Sequence, residues 1–169
     1  HGYQYLRIVG FFQEDNAKAK DLRYQQENSL LAIGSGGLTG KGLDNNDITS
    51  VKNGNLISES HTDFIFTIVG EELGFIGGAA VIILLLLIVL ECFITGSRAP
   101  TYSGRLFCYG FGVLIGTQTL VNIAVATMLL PNTGVTLPFV SYGLTSLLSL
   151  YFGIGVVLNI GLQRTKAML

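Results

Sequence analysis

Apolar positions along this chain change from scattered to nearly continuous close to residue 63. Residues 1–62 mix charged, polar and glycine positions with short apolar patches. From Leu73 to Leu90 there are 18 consecutive uncharged residues, including Val81-Ile82-Ile83-Leu84-Leu85-Leu86-Leu87. Taken with the polar start at Asp63, this predicts a helix over about 63–95, long enough to cross a bilayer with a tilt. A short loop with Arg98, Pro100 and Arg105 follows. Between Arg105 and Arg164 lie 58 residues without a charge. At about 1.5 Å per residue that stretch is too long for one crossing. Pro131 and Pro138 divide it into helices predicted at about 105–130 and 139–162.

The first third reads differently. Residues 1–20 carry Arg7, an apolar patch (Ile8, Val9, Phe11, Phe12) and then a polar run, which suits a segment lying against lipid headgroups. Residues 21–33 predict one helix, with Asp21 in its first turn and Gly34 at its end. It is too short and too polar to span, so an interfacial or re-entrant placement is expected. Residues 43–60 read as a polar loop. The predicted fold class is therefore all-α. It is a polytopic membrane protein fragment: a large outer loop region over 1–62 with short interfacial or re-entrant helices, then three transmembrane helices over 63–169.

Composition agrees with a membrane protein. Of 169 residues 49% are hydrophobic and 12% charged, about half the charged share of an ordinary globular domain. Six of the ten Lys/Arg fall before residue 63, without the basic stripe of a nucleic-acid binder, so no nucleic-acid partner is expected. Cys92 and Cys108 share no metal-binding spacing and read as free thiols flanking one loop, with a disulfide as the less favoured alternative. The chain starts at His1 without an initiator Met or signal peptide, which reads as the later part of a longer protein.

The basic residues orient the spans. Arg98 and Arg105 in the 96–105 loop, and Arg164 and Lys166 in the C-terminal tail, have no acid beside them. Short basic flanks stay cytoplasmic. Residues 1–62 and the 131–138 loop are then expected outside a plasma membrane, facing a compartment without ATP. Any reaction there needs an energised substrate delivered in the membrane.

Three carboxylates, Asp63, Glu71 and Glu72, stand where water gives way to lipid, and ionisable groups at such depth are functional suspects. If Asp63 is helical, Thr67 stacks on its face while Glu71 and Glu72 turn away. Asp63 alone then sits at the water edge, able to accept a proton; helix capping is the competing role. Glu71 and Glu72 are expected to find partners in the bundle. His61 reads as a helper or an interfacial residue. Gln118 and Asn122, four apart, predict a face that meets another helix. Ser141, Tyr142, Thr145, Ser146 and Ser149, with Thr133 and Thr136, read individually as packing groups and together as a lining for the cavity of Asp63.

Gly34-Ser35-Gly36-Gly37-Leu38-Thr39-Gly40-Lys41-Gly42 fails as a nucleotide P-loop. Ser35 stands where the first Gly belongs, and Gly42 where Ser/Thr would hold Mg²⁺. Two readings remain: backbone N–H groups of Gly36 and Gly37 with Lys41 holding a phosphate, or a plain turn.

Several segments carry a resemblance. Glu59-Ser60-His61-Thr62-Asp63-Phe64-Ile65-Phe66 with Gly70-Glu71-Glu72-Leu73-Gly74 resembles a signature of the shape, elongation, division and sporulation (SEDS) family, which includes RodA, FtsW and SpoVE. Ser29 through Gly37 with Gly40-Lys41-Gly42, and Leu130-Pro131 with Thr133 through Phe139 and Ser141-Tyr142-Gly143, are similar to two more of its segments, in the same order. The resemblance implies the C-terminal part of a peptidoglycan glycosyltransferase. Such an enzyme polymerises lipid II, releases undecaprenyl pyrophosphate and works with a class B penicillin-binding protein. It places the family's essential aspartate at Asp63, with Lys41, Gly36, Gly37, His61, Thr133, Ser141 and Tyr142 as substrate-binding candidates. No organic cofactor is implied, and a divalent cation is left open. The pattern departs at Leu144-Thr145, where the family has Gly-Ser, at Asn132 and Thr133, where a basic residue is common, and at Ser58, where Pro is. A lipid II flippase and a scaffold recruiting a transpeptidase are the alternatives. The segment in isolation is expected to be inactive.

Overall fold

A computed structural model describes residues 17–43 and 62–167. The readings that fall on residues 1–16 and 44–61, among them Arg7, the polar loop and His61, lie outside the described residues. The described residues are all-helical: α1 (Ala17–Ser35), α2 (Ile65–Ser97), α3 (Tyr102–Ala126) and α4 (Leu144–Ala167). The last three are long and apolar enough to cross a membrane.

α1 runs further at both ends than the predicted 21–33. Its last turn closes with Ser35 Oγ donating to Ala32 O at 2.7 Å. α2 begins at Ile65 rather than 63, so Asp63 lies in a turn, not in the helix. The helical register that stacked Thr67 over Asp63 therefore does not apply. α3 starts at Tyr102, three residues before the predicted start. Thr101 stands extended ahead of it, and its Oγ1 accepts from Gly104 N at 3.2 Å, the usual threonine cap.

The other two boundaries move for backbone reasons. α3 ends at Ala126, well before Pro131. Met128 takes a left-handed φ of 60°, and the N–H groups of Leu129 and Leu130 both turn back to Ala124 O. α4 begins at Leu144 rather than 139. Phe139 is left-handed at φ 62°, and Ser141 N returns to Leu137 O at 3.0 Å, so 137–143 is a turn.

α2 and α3 pair along most of their length, through small residues. A Cβ on Gly112 would lie 3.1 Å from Cys92 Cβ, and one on Gly96 only 2.8 Å from the Tyr109 ring. Such close backbone approach drives helix association where lipid removes the hydrophobic incentive. Cys92 and Cys108, both free, are buried there with Ala99, Val157 and Ile160. A second cluster (Phe66, Leu85, Ala126, Leu137) fills the Asp63 end. α4 leaves Leu144, Leu148, Phe152, Leu158 and Leu162 exposed. That is the outward composition expected of a surface facing lipid or further helices.

Candidate functional site

Four segments converge at the Asp63 end: α1 with its glycine-rich turn, the 62–64 turn, the end of α3, and the 131–143 loop. Each is held to the others by polar side chains with defined partners.

The end of α3 leaves carbonyls with no helical N–H to accept from. α1 supplies the donors. Gln26 Nε2 donates to Val125 O at 3.1 Å and to Leu130 O at 2.8 Å. Ser29 Oγ donates to Ala126 O at 2.9 Å and is also hydrogen-bonded to Thr67 Oγ1. Gln26, Ser29 and Thr67 are all buried. Sequence patterning gave neither Gln26 nor Ser29 a role of its own; two uncharged polar residues three apart on one face of α1 were the available signal.

The glycine-rich turn does something that its composition did not disclose. α2 is broken at Gly74, whose backbone (φ 66°, ψ −165°) is not helical. In a continuous helix Phe75 N–H would bond Glu71 O, and Ile76 N–H would bond Glu72 O. Residues 37–42 insert between these partners. Lys41 N and Gly42 N donate to Glu71 O and Glu72 O, each at 3.0 Å. Phe75 N and Ile76 N donate to Gly37 O at 2.9 Å and Leu38 O at 3.2 Å. Two helical bonds become four turn-to-helix bonds, and the break leaves none of these groups unpaired. Glycine is required for the fit. A Cβ on Gly36 would stand 2.0 Å from Gly70 O, and one on Gly40 2.1 Å from Glu72 O.

This corrects the expectation of an anion cradle. The N–H groups of Gly36, Gly37, Gly40, Lys41 and Gly42 all donate within the protein. The Lys41 side chain is engaged too: its Nζ lies 2.8 Å from Glu71 Oε1, with side-chain exposures of 27% and 3%. Glu71 thus finds its partner in the bundle, and that partner is the turn's lysine.

Asp63 is half-buried at the start of α2, and its main chain is clamped. Asn122 on α3, fully buried, donates from Nδ2 to Asp63 O at 2.8 Å and to Val135 O at 2.7 Å. Of the two amides expected to meet another helix, Asn122 binds the Asp63 turn and the last loop. Beside it Ser141 Oγ donates to Thr62 O at 2.8 Å and accepts from Leu137 N at 2.7 Å. Asn132 braces the same loop by accepting from Gly134 N at 3.0 Å, the local turn that asparagine favours.

Of the predicted site residues, the structure brings Ser141 against the Asp63 turn. Lys41, Gly36 and Gly37 sit at the Gly74 break. Thr133 is exposed on the loop, and Tyr142 is 81% exposed. Among the described residues no group of three or more His, Cys, Asp and Glu side chains comes together.

Comparison with known proteins places this arrangement. Residues 1–166 match the family model for FtsW, RodA and SpoVE, described as cell cycle protein. The chain is 42% identical over 168 residues to a probable peptidoglycan glycosyltransferase FtsW of Enterococcus hirae, covering 98% of this chain and 40% of that protein. It is 40% identical to the FtsW so named of Geobacter sulfurreducens, over 98% of this chain and 43% of the relative. The chain thus spans less than half the length of these curated relatives. Among solved structures, one described as structural coordination of polymerization and crosslinking by a peptidoglycan synthase complex superposes with a TM-score of 0.70. It is 29% identical and covers 97% of this chain and 43% of that one. An Asp-to-Ala mutant of the Thermus thermophilus rod shape determining protein RodA superposes at 0.60, 36% identical, over 80% of this chain and 40% of that one. With the match running through all four described helices, the chain belongs to the FtsW, RodA and SpoVE family of membrane proteins.

Proposed function

We propose that this chain supplies part of the active site of a peptidoglycan glycosyltransferase that polymerises lipid II at the outer face of the plasma membrane. Asp63 is its general base. The observation that carries the reading is the double clamp on residues 62–63, which holds a half-buried carboxylate-bearing turn at a fixed place. Relatives described as probable peptidoglycan glycosyltransferases support the reaction class.

The chemistry follows from the groups. A sugar hydroxyl on the acceptor is a poor nucleophile. The Asp63 carboxylate takes its proton as the oxygen bonds to the donor's anomeric carbon, and the bond from that carbon to pyrophosphate breaks. Undecaprenyl pyrophosphate leaves with the electron pair. The donor is already activated, so neither ATP nor a covalent intermediate is required, and a positioned base contributes about 10²–10⁴-fold. Lys41, partly open to solvent beside Glu71, is the cation of the glycine-rich turn available to the departing pyrophosphate. Ser141, Tyr142 and Thr133 belong to the surroundings of the acceptor; His61, a substrate-binding candidate from the sequence, lies outside the described residues. No organic cofactor enters the proposed reaction. A class B penicillin-binding protein is the partner that crosslinks the product. One solved relative is described as part of a complex coordinating polymerization and crosslinking.

The test is polymerisation of lipid II by the purified full-length protein in detergent or vesicles, read as glycan length on a gel. Glycan strands are expected. Transbilayer movement of lipid II without polymer would instead identify a flippase. Copurification with the transpeptidase and neither activity would identify a scaffold.

A further inference from the structure

We infer that Asn122 is a positioning residue for the glycosyl transfer: its side-chain amide sets the location of Asp63 by tying that residue's carbonyl to the 131–138 loop. The inference rests on the proposal that Asp63 is the base.

Asn122 is fully buried on α3. Its Nδ2 has two hydrogens and both are used, toward Asp63 O at 2.8 Å and Val135 O at 2.7 Å. Both partners are carbonyl oxygens, so the amide has one tenable orientation; turned over, its oxygen would face two other oxygens. The remaining atom, Asn122 Oδ1, is buried without a hydrogen-bond partner among the described residues. A buried polar atom left unpaired carries a free-energy penalty. An amide that serves packing alone would do better as an apolar side chain of similar volume. What the site obtains from asparagine is a fork with two donors, which joins the carbonyl of Asp63 to that of Val135. The Ser141 clamp acts on the neighbouring carbonyl, Thr62 O. Releasing Asn122 removes the hold on the Asp63 carbonyl while the Thr62 carbonyl stays bound to Ser141, so the expected result is a shifted carboxylate on a turn that persists.

The expected signature is kinetic. Misplacing a catalytic group by about 1 Å can lower the rate about 10²-fold. In the purified full-length protein, Asn122→Ala should lower kcat for lipid II polymerisation about tenfold to hundredfold and leave KM within about threefold, because the base acts in the transition state. Asn122→Asp keeps the shape but loses both donors when ionised and regains one when protonated. Its kcat relative to wild type at the same pH should rise as pH falls from 8 to 6. The Asn122→Ala ratio should stay flat. Asn122→Ala added to Asp63→Asn should cost no more than Asp63→Asn alone, since both act through one group.

Wild-type kcat in Asn122→Ala, multiplying effects in the double variant, or a flat pH ratio in Asn122→Asp would each overturn the inference. Failure of both single variants to fold would mark a structural role and overturn it as well. Near wild-type polymerisation by Asp63→Asn is a separate outcome: it removes the base itself, whatever Asn122 does.

Discussion

Lys41, which the glycine-rich turn suggests as a phosphate contact, also pairs with Glu71. Its ammonium covers a carboxylate on a side chain that is 3% exposed. Removing one member of a buried pair leaves the other charge poorly compensated, at about 3–5 kcal/mol for full burial. Because Lys41 retains solvent on one side, Lys41→Ala should lower unfolding stability by less, about 1–3 kcal/mol. Combining it with Glu71→Gln should recover most of the loss, since no buried charge then remains. Thermal unfolding of the purified full-length protein checks this; no recovery in the double variant would mean the ion pair is not the source. The phosphate role is read separately. Lys41→Arg keeps the charge, so it should raise the lipid II concentration for half-maximal rate less than Lys41→Ala does.

The break in α2 is an event between elements, and glycines at the contact set it. Gly40 has φ 79° and no room for a Cβ beside Glu72 O, whereas a Cβ on Gly34 in α1 meets nothing within 4 Å. Gly40→Ala should therefore destabilise the protein by more than about 1 kcal/mol, and Gly34→Ala should be neutral or stabilising by up to about 1 kcal/mol. Equal melting midpoints for the two variants would contradict the inserted turn. The three spans were legible because uncharged runs and two prolines mark them without reference to the rest of the chain. Their ends were not. Met128 and Phe139 adopt left-handed backbone that neither residue type announces. The break was hidden because Glu-Glu-Leu-Gly reads locally as helix; only the partner turn, more than thirty residues upstream, makes the interruption tolerable. Asp63 reads from the sequence as the first residue of a helix, and the structure puts it in a half-buried turn just ahead of α2. The partner of Asn122 was not legible, because an amide on a helix face states that it needs acceptors without saying which.

At the scale of the whole molecule, three crossing helices carry the 62–64 turn and the 131–143 loop at one end and the 97–101 loop at the other. The basic residues Arg98, Arg105, Arg164 and Lys166 belong to the second end, so the Asp63 end is expected outside. In intact cells, Gly54→Cys and Gly134→Cys should react with a membrane-impermeant thiol reagent and Thr101→Cys should not; external labelling at 101 would invert the orientation. The proposed role of Asp63 is to take the acceptor's proton on that outer side. Asp63→Asn keeps the shape and the main-chain carbonyl that Asn122 binds, and asparagine caps a helix about as well as aspartate, but it cannot accept the proton. The decisive measurement is lipid II polymerisation by purified full-length Asp63→Asn, after confirming that it folds and still copurifies with the proposed transpeptidase partner. Almost no glycan is expected. Polymerisation at a near wild-type rate would contradict the proposed role.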